Sequence, residues 1–213
     1  NLTNCKEFCC SENFIVFVNF NNQAFLIRGD RFSNPENIGE NIQLIGCTNN
    51  TIFLTKSNTL IKIQDENTSE IPINFTIASI SCGEDNALFI DTEGNLYKYD
   101  YTALTRIYGV PPIVSAYVGV QHNAAISFDG RLYTWGFNPS GQLGIGNDRP
   151  TIEPSYVLDH VINVVCGTQH TLALRSKNTL PRVPELINKL KLPNPTFTLP
   201  QSQKRITRAE ILS

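Results

Sequence analysis

A short motif that recurs along the chain constrains the fold more than any other feature of the sequence. The fullest copy begins at Val118 and reads Val-Gly-Val-Gln-His-Asn-Ala-Ala-Ile-Ser-Phe-Asp-Gly-Arg-Leu-Tyr-Thr-Trp-Gly. Shorter copies begin at Cys82 and Cys166, and weaker ones at Cys10 and Cys47. These five marker residues are 37, 35, 36 and 48 residues apart. A period in this range predicts a solenoid, a propeller or an array of repeats.

Each repeat is predicted to consist of short strands. In the fullest copy, residues 124–126 and 132–135 are apolar runs on either side of the turn Asp129-Gly130. Asp-Gly is a strong hairpin signal because glycine adopts positive φ without steric cost. The same turn position in other copies holds Glu93-Gly94 and Asn21-Asn22. Since residues 10–175 lack a helical period, the sequence predicts an all-β fold, a β-propeller or partial propeller.

The combined pattern resembles the repeat of the regulator of chromosome condensation family. That pattern is Cys-Gly-x-x-His-Thr-x-Ala-Leu, then Asp-Gly-x-Leu-Tyr-x-Trp-Gly, then Asn-x-x-Gly-Gln-Leu-Gly. The match is strong over residues 113–178, moderate over 77–100 and weak over 9–64. The resemblance implies four-stranded blades around an axis, usually seven. Because five markers are too few, we expect either two blades upstream of residue 1, which we favour, or irregular packing of the N-terminal part.

The histidines are the most tempting catalytic candidates. His122 and His170 occupy one repeat position, which Asn86, Thr51 and Phe14 hold in the other copies. A catalytic pair does not usually occupy equivalent places in successive structural units. We therefore predict that each histidine hydrogen-bonds a blade turn. The chain offers no set of nucleophile, base and oxyanion donors, so we predict no catalytic residue and no cofactor within it.

Four of the five markers are cysteines, and the fifth is a valine, which suggests small buried side chains. Equivalent positions in different blades are expected to lie too far apart for a disulfide, which needs Cα atoms within about 7 Å. Reduced thiols favour an intracellular protein, cytoplasmic rather than nuclear. The cluster Cys5-x-x-x-Cys9-Cys10 lacks a second ligand pair at usable spacing, so no metal site is predicted.

Partner contacts are expected at loop tips, where propellers present binding residues. The candidates come from the hairpin turn and from the insertion that lengthens the fourth repeat: Asp129, Phe137, Asn138, Asn147 and Asp148. Within that insertion, residues 141–146 are glycine-rich, but they lack the Gly-Lys-Ser/Thr of a phosphate loop and are interpreted as an inter-blade turn. The single tryptophan, Trp135, is interpreted as a core aromatic.

Charge is distributed unevenly along the chain. Residues 1–174 contain 9 Lys/Arg and 17 Asp/Glu, whereas residues 175–213 contain 8 and 2. An acidic body disfavours direct nucleic-acid binding, which depends on neutralising phosphates. The basic tail is expected to contact acidic lipid at a membrane surface or the acidic propeller itself, through Lys189, Lys191, Lys204, Arg205 and Arg208. No apolar run reaches the roughly 18 residues of a transmembrane segment.

The repeats are assigned to residues 1–180. Residues 181–201 are expected to form a short amphipathic helix, from Pro184 to Leu192, followed by a proline-rich linker. Residues 202–213 are predicted to begin a truncated helix. Arg205-Ile206 and Glu210-Ile211-Leu212 are similar to the opening of a Dbl-homology domain, an exchange factor for Rho-type GTPases; the alternative is an ordinary basic helix or a disordered tail.

Three functional hypotheses follow from the repeat and the tail. The first is an interaction module within a small-GTPase exchange regulator, binding a Ran- or Rho-type GTPase or an exchange domain in cis. The second is that the propeller is itself a Ran-type guanine-nucleotide exchange factor. The third is a secreted binding or inhibitor propeller, which the sequons at Asn1, Asn49, Asn67 and Asn74 would suit.

Overall fold

The structure, a computed structural model, describes residues 4–29, 34–65, 67–99, 103–176 and 208–212. Within these described ranges, nineteen strands form five antiparallel sheets, here called blades 1 to 5. Blade 1 contains β1 (Cys5–Cys10), β2 (Phe14–Asn19), β3 (Ala24–Arg28) and β4 (Glu36–Gly39). Blade 2 contains β5 (Ile45–Cys47), β6 (Thr51–Lys56), β7 (Thr59–Gln64) and β8 (Asn67–Pro72).

The other three blades repeat this plan. Blade 3 contains β9 (Ile77–Cys82), β10 (Ala87–Asp91), β11 (Leu96–Tyr99) and β12 (Leu104–Ile107). Blade 4 contains β13 (Ile113–Val118), β14 (His122–Ser127), β15 (Leu132–Gly136) and β16 (Thr151–Leu158). Blade 5 contains β17 (Val161–Cys166), β18 (Thr171–Arg175) and β19 (Arg208–Leu212). Each strand pairs with the next along the chain within its blade.

The blades are arranged around an axis, with the first strand of each blade innermost. Contacts run from β1 to β5, β9, β13 and β17 in turn. Four apolar clusters fill the spaces between successive blades. Trp135 lies 6% exposed in the cluster between blades 3 and 4, which confirms it as a core aromatic. The described blades do not close into a ring, so the all-β prediction of a partial propeller is confirmed.

The predicted hairpin turns are present in blades 1, 3 and 4. Gly130, Gly94 and Asn22 have φ of 77°, 84° and 59°, the left-handed region that these turns need. A polar side chain at the end of the preceding strand secures two of them. Asp91 Oδ1 accepts hydrogen bonds from two turn amides at 2.9 and 2.8 Å, and Asn19 Oδ1 does the same at 2.9 and 3.0 Å.

Two expectations are corrected. The N-terminal repeats do not pack irregularly, because blades 1 and 2 are regular four-stranded sheets. The predicted helix at 202–213 is wrong over residues 208–212, which form β19 and pair with β18 from Arg175↔Arg208 to Thr171↔Leu212. Pairing satisfies the backbone groups on the outer edge of β18, and this non-local gain outweighs the local helical pattern.

The remaining predictions for the tail, including the helix at 184–192, the linker and the rest of 202–213, lie outside the described residues. Within the described part of the chain, no helix has the length and hydropathy needed to cross a bilayer.

Candidate functional site

The strand directions give the propeller two faces. Every innermost strand ends at its marker residue on one face, here called the marker face, which also carries the insertion after β15. The turn between β14 and β15 lies at the other end of the blade, on the hairpin face. Asp129 is therefore separated from Phe137, Asn147 and Asp148 by the length of a strand. The predicted contact residues do not form one site.

A cavity of about 380 Å³, here called the axial funnel, opens at the centre of the marker face. It is surrounded by the five markers and the turn residues that follow them: Cys10, Cys47, Thr48, Asn49, Cys82, Gly83, Glu84, Val118, Gly119, Val120, Cys166, Gly167 and Thr168. All five blades contribute to this lining. The repeat therefore brings equivalent residues together around one opening, which the sequence patterns did not predict.

The glycine after the marker in blades 3, 4 and 5 permits close packing of these turns. A Cβ on Gly119 would lie 2.7 Å from the ring of His122 and 2.9 Å from the carbonyl oxygen of Gly167. A Cβ on Gly83 would lie 2.7 Å from the carbonyl oxygen of Gly119. Backbone atoms of the next blade cannot move aside as side chains do. The Cys-Gly pair of the motif is thus explained by packing between blades.

His122 was predicted to hydrogen-bond a blade turn, and its ring reaches a side chain of the next blade. Its Nε2 lies 2.9 Å from Oγ1 of Thr171, and this hydroxyl donates to the carbonyl oxygen of Gln142 at 2.8 Å. His122 and Thr171 are both 0% exposed. Burial lowers the pKa of the His122 imidazole, with a smaller contribution from His170, so the ring is neutral at pH 7. His170, by contrast, is exposed.

The insertion is held rigidly by its own side chains. Asn138 is fully buried, donates to the carbonyl oxygens of Asn147 at 2.7 Å and Arg149 at 3.0 Å, and accepts from the amide of Leu143 at 2.9 Å. Its side chain is therefore engaged in the loop. Asn147 and its neighbour Asp148 are exposed, and Phe137 is 48% exposed.

The contact of Phe137 with the neighbouring turn places it beside the funnel. Its amide donates to the carbonyl oxygen of Gln121 at 2.9 Å, and Val120 in the same turn lines the cavity. An exposed aromatic ring on a rigid loop is a suitable contact residue, because it loses little conformational freedom on binding. The marker face thus combines a funnel with a protruding phenylalanine.

Asp129 is held by local interactions on the hairpin face. It accepts a hydrogen bond from Ser127 and pairs with Arg131 at 3.2 Å. Arg131 also pairs with Asp159 at 3.5 Å, which links the blade 4 turn to the start of blade 5. The pairs are about half exposed, so their contribution to stability is small.

The inner turns of the marker face are acidic. The five turns that follow the markers, at residues 11–13, 48–50, 83–85, 119–121 and 167–169, contain Glu12, Glu84 and Asp85 and no lysine or arginine. All three acidic residues are exposed. A partner that presents basic side chains would be complementary to this face.

Burial keeps two of the marker thiols, Cys82 and Cys166, protonated. Burial raises the pKa of the Cys166 thiol to about 12 and that of Cys82 above its ordinary value. A hydrogen bond from Cys9 lowers the pKa of Cys47. All six cysteines are free, and no group of three potential metal ligands is arranged to hold an ion within the described ranges.

Of the five basic tail residues predicted to contact a membrane or the propeller, one lies in the described part of the chain. Lys189, Lys191, Lys204 and Arg205 lie outside the described residues. Arg208 is the first residue of β19. Its contact with lipid or with the acidic face stays a prediction.

Comparison with known families agrees with the repeat and the fold. A family model described as the regulator of chromosome condensation (RCC1) repeat matches residues 129–174, and a second model of the same description matches residues 113–142. Residues 113–174 therefore match the regulator of chromosome condensation repeat. These matches cover the repeat that carries the insertion and the start of blade 5.

Individual relatives of this repeat family match about half of the chain. It is 26% identical over 124 residues to the ultraviolet-B receptor UVR8 of Arabidopsis thaliana, covering 49% of this chain and 28% of that protein. It is 27% identical over 138 residues to the guanine nucleotide exchange factor SRM1 of Saccharomyces cerevisiae, covering 48% and 29%. The chain thus spans less than a third of either relative.

Among solved structures, Prp20p from Saccharomyces cerevisiae shares the fold of this repeat protein. The TM-score is 0.67 at 20% sequence identity, over 87% of this chain and 58% of that chain. The similarity extends through blades that the family models leave unmatched. It shows that the described sheets share the propeller fold of that protein.

Proposed function

We propose that the chain is a protein-binding, regulatory propeller module that contacts a small GTPase through its marker face. The observation that supports this most directly is the presence of regulator of chromosome condensation repeats, shared with a relative named as a guanine nucleotide exchange factor. The related propeller Prp20p is described as binding Gsp1p and histones. An intracellular, cytoplasmic location and a Ran- or Rho-type GTPase are the finer parts of the proposal.

The geometry of the marker face supports binding. It has a rigid loop with an exposed Phe137, a central funnel, and acidic residues at Glu84 and Asp85. Nucleotide exchange requires no covalent step, only a surface that binds the GTPase better without its nucleotide. A second candidate follows from the name of SRM1, namely that the propeller accelerates nucleotide release itself. The first candidate assigns that step to another part of the whole protein.

A binding assay tests the proposed surface. Immobilised chain is titrated with nucleotide-free Ran- and Rho-type GTPases, using wild type, Phe137→Ala and the double variant E84K/D85K. We expect at least a tenfold loss of affinity in each variant, as for a central contact residue. The control is Glu70→Lys, an exposed acidic residue on the outer strand β8. Equal binding by all variants would place the interface elsewhere, and no binding to any GTPase would exclude the proposal.

A nucleotide-release assay separates the two candidates. The GTPase is loaded with a fluorescent guanine nucleotide and mixed with this chain or with the full-length gene product. Release stimulated only by the full-length protein supports a regulatory module. Release stimulated by the 213-residue chain would make the propeller an exchange factor.

A further inference from the structure

Two thiols meet at the interface between blades 1 and 2. Cys9, in β1, packs against the apolar cluster that contains Ile45 and Ile52 of blade 2. Cys47 ends β5 and is 8% exposed. The Cys9 and Cys47 side chains are hydrogen-bond partners, so the two thiols are neighbours across the interface.

The strand register explains why this contact occurs at one interface. The residue before each marker faces the following blade. At that position a Cβ on Gly46 would lie 2.9 Å from Sγ of Cys82, Ser81 donates to the carbonyl oxygen of Ala116 at 2.8 Å, and Tyr117 donates to Asn163 at 2.9 Å. Only in blade 1 is this residue a cysteine. It therefore meets the cysteine marker of blade 2.

The axial funnel gives solvent a route to this pair. Cys47 is part of its lining, and the cavity of about 380 Å³ has ample room for a small oxidant. The Cys9 S–H donates to the sulfur of Cys47, which lowers the pKa of Cys47 and favours its thiolate. Because Cys47 and not Cys9 is in the lining of the funnel, Cys47 is the thiol that a small oxidant meets first, and Cys9 is the neighbouring thiol placed to resolve the product.

We propose that Cys9 and Cys47 are a redox pair that forms a disulfide when the protein meets a peroxide, fastening blade 1 to blade 2. The Cys47 thiolate attacks one oxygen of hydrogen peroxide, the O–O bond breaks, and the released hydroxide takes up the thiol proton as water. The sulfur of Cys9 then attacks the sulfenic sulfur of Cys47. An S–S bond forms and a second water leaves, carrying the Cys9 proton. Two thiols are oxidised, and one peroxide is reduced to two waters.

The cross-link would close a loop between residues 9 and 47 and restrict the unfolded chain. A loop of this length is expected to stabilise the protein, raising its melting temperature by about 5 °C or more. Blade 1 would gain most, because it contacts only one neighbouring blade among those described.

Peptide mapping after oxidation tests the proposal. The reduced chain is treated with hydrogen peroxide, free thiols are alkylated, and disulfide-linked peptides are identified by mass spectrometry. We expect a Cys9–Cys47 link and the rise in melting temperature, both absent from Cys9→Ser and from Cys47→Val. Valine is chosen because Val118 holds the equivalent position in blade 4. Cys166→Val, at another marker, serves as the control that keeps both effects.

The roles of the two thiols are tested separately. In Cys9→Ser the sulfenic acid on Cys47 cannot be resolved, so dimedone should label Cys47 in that variant and not in wild type. A link from Cys47 to Cys82, or undiminished alkylation of Cys9 and Cys47 after peroxide treatment of wild type, would overturn the proposal. None of these readouts depends on binding to a GTPase.

Discussion

Nε2 of His122 in blade 4 lies 2.9 Å from the hydroxyl oxygen of Thr171 in blade 5, and both side chains are completely buried. The hydroxyl also donates to the carbonyl oxygen of Gln142, so the insertion of blade 4 is joined to blade 5 through the same contact. The other ring nitrogen, Nδ1 of His122, is buried without a hydrogen-bond partner among the described residues. A charged ring would be poorly accommodated here.

The burial of His122 predicts acid sensitivity. Because burial lowers its pKa in the folded state, the neutral ring stabilises the fold above the unfolded pKa of about 6.5, and this stability is lost as the pH falls below it. We expect the urea concentration at the unfolding midpoint of wild type to decrease when the pH is lowered from 7.5 to 5.5. The midpoint of His122→Asn, which copies Asn86 at the same place in blade 3, should decrease less. An identical decrease in both proteins would contradict the prediction.

Glu7 predicts the opposite pH dependence. Burial raises the pKa of its carboxyl from 4.5 to about 7, opposed by the smaller effect of Lys6, and its Oε2 has no hydrogen-bond partner among the described residues. The contribution of the neutral Glu7 carboxyl to stability is complete below pH 4.5, and it is lost as the pH rises through 7 and the buried group ionises. Glu7→Gln should therefore exceed wild type by about 2 kcal/mol in free energy of unfolding at pH 8.5, with no gain at pH 4.5. Urea unfolding at both values measures this, and a gain of equal size at pH 4.5 would refute it.

The turn glycines predict intolerance to a single methyl group. In Gly119→Ala the new Cβ meets the ring of His122 and the backbone of Gly167, so we expect a loss of about 1–3 kcal/mol in unfolding free energy. Thr48 already carries a Cβ at the equivalent place in blade 2, and its hydroxyl accepts a hydrogen bond from the amide of Thr51. The control is Thr48→Ser, which keeps both the Cβ and the hydroxyl, and thermal unfolding of Gly119→Ala and Thr48→Ser should separate the two. Unchanged stability of Gly119→Ala would show that the blades can shift apart.

Asn138 and Phe137 are adjacent but should respond differently to truncation. Asn138→Ala removes three hydrogen bonds within the insertion and should cost about 2–3 kcal/mol. Phe137→Ala removes a half-exposed ring and should change stability by less than about 1 kcal/mol. Chemical denaturation of both variants tests this. Strong destabilisation by Phe137→Ala would make its loss of partner binding uninformative.

Much of the fold was predictable because it depends on local signals that recur. The marker spacing located the ends of β1, β5, β9, β13 and β17, and the turn residues Asp129-Gly130 and Asn21-Asn22 gave hairpins with the expected positive φ. These features need only a few adjacent residues. The helix predicted at residues 202–213 was wrong where β19 forms, since that strand depends on a partner over thirty residues earlier.

The site was harder to predict, because it forms between repeats. Cys9 lies one residue before the blade 1 marker, Cys10, whereas its partner Cys47 is itself the marker of blade 2. The expectation that cysteines at equivalent positions are too far apart to pair therefore did not apply to these two residues. Asn138 was proposed as a contact residue, yet the structure buries it. Comparing the residues after each marker column by column would have revealed the acidic turns with Glu84 and Asp85.

The single-file arrangement of the blades has a kinetic consequence. Each interior blade packs against a neighbouring blade on both sides. In the described chain, by contrast, Val165 on the outer side of blade 5 is 58% exposed and Phe8 on the outer side of blade 1 is 68% exposed. In such linear arrays, stability approximates a sum over neighbours, and opening starts at the ends. Amide protons of Phe89 and Ile126, in blades 3 and 4, should therefore exchange with solvent much later than those of the outer blades.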